Sequence, residues 1–187
     1  QCYGFAPAMM LYWGFCLEDC QGEIFAGHRD LMTAGHLPKP ILTAFEMMAR
    51  LREKLLKTEG TKTGGPLGCI GAKNSEGIQI LLYHFEEYQC YNQKAEGQIR
   101  LTDLPEGSWR IRRILLDREH HNTYRLWQRM GSPEKPDEKQ LAELTEEARL
   151  CWDLEEWAEA EGGVLELSAK LPPQSIQLIE ISRKEQE

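Results

Sequence analysis

The spacing of apolar residues predicts a strand–loop–helix unit at the start of the chain and strands over most of the rest. Residues 9–16 (MMLYWGFC) form a near-continuous apolar run, which is typical of a strand buried on both faces. Residues 17–37 contain three glycines among scattered polar residues and are predicted to form a long loop. Residues 58–66 are rich in Gly, Thr and Lys, so we place a linker there.

A helix is predicted between this loop and this linker. Pro38 and Pro40 fit its start, because proline is tolerated in the first helical turn. Apolar residues then recur every three or four positions and should share one helix face. They are Ile41, Phe45, Met48, Leu51 and Leu55. Met47 and Met48 are expected to fill gaps in a core, since flexible thioether side chains adapt to irregular space.

From Leu67 onwards, segments rich in β-forming and alternating residues predict strands. Residues 105–107 (PEG) and the Pro172–Pro173 pair supply turns between them. The predicted strand segments are residues 78–85, 98–101, 109–116, 164–167 and 176–181. Several short strands at this spacing predict a mainly β fold, an antiparallel β-sandwich.

One helical insertion is predicted to interrupt these strands, at about residues 120–160. Residues 136–138 (PDE) begin its main helix, because proline and acidic residues favour the first turn. Its apolar stripe is predicted to contain Leu141, Leu144, Ala148, Cys151 and Leu154, followed by Trp157. We expect this stripe to face the sandwich and the acidic residues to face water.

The charge of the chain is concentrated in this insertion. The whole chain has a net charge of −8, and residues 134–161 carry all of it with eleven acidic and three basic side chains. Concentrated negative charge repels nucleic acid and no basic stripe offsets it, so no direct contact with nucleic acid is expected. No apolar run approaches the roughly 20 residues that a membrane-spanning helix needs, so no membrane partner is expected either.

The six cysteines predict neither a metal site nor an essential disulfide framework. They include no CxxC pair, and the five histidines do not fall at ligand spacing with them. A chain of this length can hold a core without disulfides, although an even number of cysteines would allow them. We therefore expect free, buried thiols in a reducing cytoplasm, with neither a metal nor another cofactor. No signal peptide is visible, but the chain opens at Gln1 without Met, so the expected compartment rests on the thiols and not on the N-terminus.

Four sequence segments together suggest a family. Residues 11–15 read LYWGF, residues 35–40 read GHLPKP, residues 117–133 read DREHHNTYRLWQRMGSP, and residues 171–176 read LPPQSI. In this order they resemble the C-terminal part of glycoside hydrolase family 39, the β-xylosidase and α-L-iduronidase family. The third segment is the most specific of the four, and the resemblance covers most of the chain.

The resemblance implies a division of the chain into three parts. The family's fold is a (β/α)8 barrel followed by a β-sandwich. Residues 1–57 would be the last strand, loop and helix of the barrel, residues 58–66 the linker, and residues 67–187 the accessory sandwich with its helical insertion. One βα unit cannot close a barrel. Its expected partner is therefore the missing upstream barrel, or a second copy of this chain that covers the exposed strand.

The resemblance also implies that the family's chemistry lies outside this chain. Retaining glycosidases use two carboxylates about 5 to 5.5 Å apart, one as nucleophile and one as acid/base. In the family these glutamates end the fourth and seventh barrel strands, so both would precede Gln1, and no residue here is assigned a catalytic role. We expect a non-catalytic C-terminal fragment whose parent acts on, or senses, xylo-type or related glycosides.

Two alternatives differ in class from that expectation. The parent could be an AraC-type bacterial transcription regulator, in which family-39-like domains sense a sugar behind a helix-turn-helix domain. The chain could also be a purely structural or oligomerisation module. The coding sequence upstream of Gln1 would separate these alternatives from a glycosidase.

A carbohydrate ligand is expected, if anywhere, on the loop after the remnant strand. In the family an acidic pair shortly after Tyr-Trp helps to hold the sugar, but those positions are Cys20 and Gln21 here. Trp13 keeps an aromatic ring that can stack on a sugar. The other candidates for a sugar-facing position are Glu18, Glu23, His28 and His36.

Two further groups of residues have both a functional and a structural interpretation. His120 and His121 beside Glu119 suggest a metal or acid/base site, but such a cluster more often caps a helix and hydrogen-bonds a loop. Three tryptophans suggest a platform for stacking on carbohydrate, but at helical spacing they more often pack in a core. These are Trp127, Trp152 and Trp157.

Overall fold

The computed structural model describes residues 24–25, 30–33, 35–60, 66–86 and 93–183. The predicted strand at residues 9–16 lies outside these ranges. The described elements, in chain order, are α1 (Pro40–Ala49), β1 (Lys54–Leu55), β2 (Leu67–Lys73), β3 (Ile78–His84), β4 (Ala95–Leu101), β5 (Gly107–Leu116), α2 (Thr123–Arg129), α3 (Glu138–Glu147), β6 (Leu154–Ala160), β7 (Leu165–Leu171) and β8 (Ser175–Arg183). The chain is mainly β, as the alternation of its residues predicted.

The strands form two antiparallel sheets. Six strands are ordered β1-β2-β3-β8-β5-β6, and β4 pairs with β7 in a separate two-stranded sheet. The five predicted strand segments are confirmed as β3, β4, β5, β7 and β8. Strand β7 buries every second residue along its length, as expected when one face of a strand meets a core.

The larger hydrophobic core draws residues from both sheets. Strands β3, β5 and β8 contribute Ile80, Ile111 and Ile179, and β7 contributes Leu165 and Leu171. All five side chains are almost completely removed from water. Burial of branched aliphatic residues from the two sheets is the main force that holds them together.

Helix α1 packs on the opposite face of the six-stranded sheet. Its buried residues are Thr43, Ala44 and Met47, and Met47 lies against a second core with Leu81 and Leu178. The expectation that Met47 fills a core is therefore confirmed. A proline at the start of α1 confirms the predicted beginning of the helix.

The predicted end of this helix is wrong. The helix stops at Ala49, and Leu55 pairs with Ala72 as part of β1, where its side chain is exposed. Residues such as Ile41 and Phe45 are only partly buried, because Thr43 and Met47 turn the buried face of the helix toward the sheet. Met48 and Leu51 of the predicted stripe still pack at the edge of this core, so tertiary packing turns the buried stripe only partly away from the most apolar face.

The helical insertion is also shorter than predicted. Helix α3 begins at Glu138 with a capping box, in which the Asp137 carboxylate accepts from the Gln140 backbone N–H. Of the predicted stripe, Leu144 and Ala148 are buried, but Leu141 and Cys151 are exposed. The helix ends at Glu147, so the predicted stripe holds over only its central part.

Strand β6 replaces the predicted continuation of the helix. Leu154 and Trp157 lie on this strand and are about half exposed. Its acidic residues pair with the basic strand β5, where the carboxylate of Glu156 lies 2.9 Å from the guanidinium of Arg113. Pairing with β5 satisfies the backbone groups on one edge of residues 154–160 and the charge of Glu156, and this long-range gain outweighs the local helical spacing. Within the described ranges, no helix is long and apolar enough to cross a membrane.

Candidate functional site

Of the five residues predicted to face a sugar, the structure describes only His36. Trp13, Glu18, Glu23 and His28 lie outside the described residues. His36 has a positive φ of 61°, and its backbone N–H donates to the carbonyl oxygen of Thr33 at 2.9 Å. Its side chain is exposed at the turn that precedes α1.

This turn is held by a compact set of hydrogen bonds. The Thr33 N–H donates to the Leu37 carbonyl oxygen at 2.9 Å, and the Leu37 N–H donates to Thr33 Oγ1 at 3.1 Å. The buried carboxylate of Asp30 forms an ion pair with Lys39. Because their buried polar groups are paired with one another, residues 30–33 and 35–39 have a defined shape.

Helix α2 fixes the position of this loop. The hydroxyl of Thr123, which is 1% exposed, donates to the Pro38 carbonyl oxygen at 2.8 Å. The neighbouring residue Tyr124 meets the ring of Phe25 edge-on, with 5.6 Å between the ring centres. One turn later in the helix, the ring centre of Trp127 lies 5.3 Å from that of Phe25. The segment that resembled a family signature therefore anchors the loop that precedes α1.

The carboxylate of Asp117 organises the start of the same segment. Its Oδ1 accepts from the backbone N–H groups of Glu119 and His120, at 2.7 and 2.8 Å, and contacts the His120 ring nitrogen Nδ1 at 2.9 Å. Asn122 then caps α2, because its side-chain oxygen accepts from the Arg125 N–H at 3.1 Å.

His121 ties this segment to the neighbouring strands. Its Nε2 lies 3.0 Å from Asp153 Oδ1, and Asp153 Oδ2 accepts from the Leu115 N–H at 2.7 Å. These contacts confirm that the side chains of His120 and His121 form hydrogen bonds with loop residues, Asp117 and Asp153 respectively. The described residues contain no group of three or more His, Cys, Asp or Glu side chains that could hold a metal ion.

The three tryptophans lie in different environments. The Trp127 Nε1–H donates to the Pro133 carbonyl oxygen at 3.0 Å, which secures the end of α2. Trp152 lies beneath the guanidinium groups of Arg50 and Arg112, at 5.3 and 4.3 Å from its ring centre. Trp157 is 50% exposed on β6. Helical spacing predicted a packing role, and among the three only Trp127 lies on a helix.

Sequence reasoning did not identify either of two clefts that lie on the described surface. One has a volume of about 440 Å³ between the end of α1 and the six-stranded sheet. The other, about 490 Å³, lies between the 117–121 loop and α3, and five of its lining residues are acidic. Each cleft collects residues that are far apart in the sequence, so no local pattern could reveal it.

Two cysteines are described, and the prediction for them is half right. Cys69 and Cys151 are free, as expected, but both are exposed and not buried. The other four cysteines lie outside the described residues.

Comparisons with known proteins agree with the resemblance found in the sequence. The family model "Glycosyl hydrolases family 39" matches residues 9–160. A β-xylosidase of Caldicellulosiruptor saccharolyticus is 22% identical over 174 residues, which is 91% of this chain and 36% of that protein.

Solved structures show the same partial similarity. A GH39 enzyme from Xanthomonas axonopodis pv. citri has a TM-score of 0.74 and 16% identity, over 87% of this chain and 34% of that one. A monomeric β-xylosidase from Caulobacter crescentus CB15 has a TM-score of 0.69 and 19% identity, over 86% and 34% respectively. The chain therefore spans about a third of the length of these relatives.

Proposed function

The chain belongs to glycosyl hydrolases family 39, whose model matches residues 9–160, and we propose that it is the non-catalytic C-terminal part of a longer family 39 protein. The observation that carries this proposal is the coverage, since nearly the whole chain matches only about a third of each relative. The relatives named above include β-xylosidases, so the parent protein is proposed to act on xylo-type or related glycosides.

The packing of the two sheets supports an accessory β-sandwich over residues 67–187. The sheets share one hydrophobic core, and the six-stranded sheet offers its other face to α1. A helix that ends a barrel and packs on an adjacent sandwich would have these contacts. The proposed boundary at residues 58–66 lies between β1 and β2 in the chain, and β1 pairs with β2 as the edge strand of the six-stranded sheet.

The anchored loop of residues 30–39 supports a role in the parent's sugar site. In a barrel, loops that follow the strands form the active-site face. Thr123 and Trp127 hold this loop and Phe25 against α2, so the accessory part would position the last barrel loop. The proposed sugar-facing residues on and before this loop are Trp13, Glu18, Glu23, His28 and His36.

A non-catalytic role follows from the chemistry of retaining glycosidases. The reaction needs a nucleophile and an acid/base carboxylate about 5 to 5.5 Å apart. The family resemblance assigns neither role to a residue of this chain. The described carboxylates near α2 instead form ion pairs and caps, such as Asp117 and Asp137.

The coding sequence upstream of Gln1 tests this function. We expect a barrel with glutamates at the ends of its fourth and seventh strands. A helix-turn-helix module upstream, with one or both glutamates replaced, would contradict a glycosidase parent and support a sugar-responsive regulator. An upstream region with neither feature would support the third alternative, in which the chain is a structural or oligomerisation module.

A further inference from the structure

A row of polar side chains spans four strands of the six-stranded sheet, β6, β5, β8 and β3, on the face that carries α1. Glu155 on β6 is opposite Arg112 on β5, Arg112 is opposite Glu180 on β8, and Glu180 is opposite Gln79 on β3. Directly opposed residues in antiparallel strands point to the same face. Helix α1 covers the neighbouring apolar row at Leu81 and leaves the polar row beside its C-terminal end.

The cleft of about 440 Å³ lies over this row. The end of α1 forms one wall and the turn between β2 and β3 forms another. The residues on its walls and floor include Glu46, Arg50, Arg52, Asn74, Gln79 and Glu180. Its volume is within the range of small-molecule sites in proteins, near the lower end, and is sufficient for one sugar ring.

Gln79 has an unsatisfied acceptor although its side chain is 2% exposed. Asn74 Oδ1 accepts from the backbone N–H groups of Glu76 and Gly77, at 2.9 and 3.0 Å, so that atom must be the oxygen. The Gln79 atom 3.3 Å from it is therefore the amide nitrogen, which donates. This fixes the amide orientation and leaves Gln79 Oε1 buried, with no hydrogen-bond partner among the described residues.

The charges around the cleft largely neutralise each other. Arg112 forms an ion pair with Glu180, and Arg50 Nη1 lies 4.0 Å from the second oxygen of the same carboxylate. Both guanidinium groups also lie over Trp152, which keeps their planes in place. Paired charges offer hydrogen bonds without a strong net field, which favours a neutral polar ligand over an ion.

We propose that this cleft binds a neutral polyhydroxylated molecule of about the size of a monosaccharide. A hydroxyl group both donates and accepts, so one ligand can accept from Arg50 or Arg52 and, once the Gln79 side chain turns its buried Oε1 toward the cleft, donate to that oxygen. A buried acceptor without a partner destabilises the free protein, and a donor supplied by the ligand removes this penalty. The proposal rests only on the residues of the cleft and does not depend on the role of the parent protein.

NMR titration of the full chain tests the proposal. D-xylose is added to ¹⁵N-labelled protein, and glycine, a zwitterion of smaller size, is the comparison. We expect saturable shifts of the Gln79 side-chain amide and the Trp152 indole with xylose, and none with glycine. Shifts that fail to saturate, or that appear equally with glycine, would overturn the proposal.

Two glutamines with a buried side-chain oxygen, Gln79 and the partly buried Gln177, provide a pair of variants. Gln177 also has a buried Oε1 without a partner among the described residues, but it is opposite Leu82 on the core side of the sheet. Gln79→Leu should weaken xylose binding about tenfold or more, whereas Gln177→Leu should leave it unchanged. If Gln79→Leu fails to fold, Arg50→Gln at the partly exposed wall should weaken binding instead. Equal binding by wild type and by the cleft variants would contradict the site.

Discussion

At the scale of single residues, the segment from Asp117 to Pro133 contains residue types that are common in active sites, but here their side chains stabilise the fold. Its histidines and carboxylates resemble a catalytic or metal-binding cluster in sequence, yet each described contact caps a helix, closes a turn or joins two elements. Sequence alone suggested this structural role for His120 and His121. It did not identify their partners Asp117 and Asp153, because pairing depends on how the loop folds over the strands.

The first prediction at this scale concerns Asp117. Asp117→Ala should lower the free energy of unfolding by about 2–3 kcal/mol, because two backbone N–H groups lose a charged acceptor that is itself buried. Urea unfolding of the chain measures the change. The control is Glu119→Ala, which removes only half-exposed ion pairs with Arg125 and Arg129 and should cost less than about 1 kcal/mol. Equal costs for the two variants would contradict the role given to Asp117.

The second residue-scale prediction concerns the hydroxyl that anchors the loop. Thr123→Val keeps the shape of the side chain but leaves the Pro38 carbonyl without its donor, so stability should fall by about 1–2 kcal/mol. Hydrogen exchange should also become faster at Leu37 and Lys39, whose N–H groups bond within the loop. Thr145→Val is the control, since its exposed hydroxyl bonds only within α3. A loop whose exchange is unaffected by Thr123→Val would not be anchored by α2.

At the scale of elements, local pattern predicted which segments become strands better than it predicted the helices. Strand β7 alternates cleanly between buried and exposed residues, and its prediction needed no partner. Strand β6 was missed because Leu154 and Trp157 continue a helical spacing, whereas their actual state depends on pairing with Arg-rich β5. Helix α1 was placed correctly at its start, where proline is a local signal, but its buried face depends on the sheet beneath it.

Helix α1 therefore offers a test that separates the observed face from the predicted one. Met47→Ala should destabilise the chain by about 2–5 kcal/mol, because Met47 is completely buried and its removal leaves a cavity between α1 and the sheet. Ile41→Ala on the most apolar face should cost only about 1 kcal/mol, since Ile41 is partly exposed. Thermal or urea unfolding gives both values. A reversed order would mean that α1 packs through the face that the sequence suggested.

At the scale of the whole molecule, the sequence predicted the class and the family but not the clefts. Four short segments in order were enough to indicate family 39, and the family model and the similar solved structures agree with them. The cleft beside α1 combines Arg50, Asn74 and Glu180, which come from three separate elements. Such a site can be recognised only when the order of the strands is known. The spacing of these residues in the sequence does not indicate that order.

We propose that this chain contributes structure, and not catalysis, to a longer family 39 protein. The most direct measurement is hydrolysis of p-nitrophenyl β-D-xylopyranoside and 4-methylumbelliferyl α-L-iduronide by the purified chain. The account predicts no product beyond the spontaneous rate, because the nucleophile and acid/base carboxylates are assigned to the parent's barrel. Turnover that purifies with the chain and is abolished by Glu18→Gln or Glu23→Gln would contradict it.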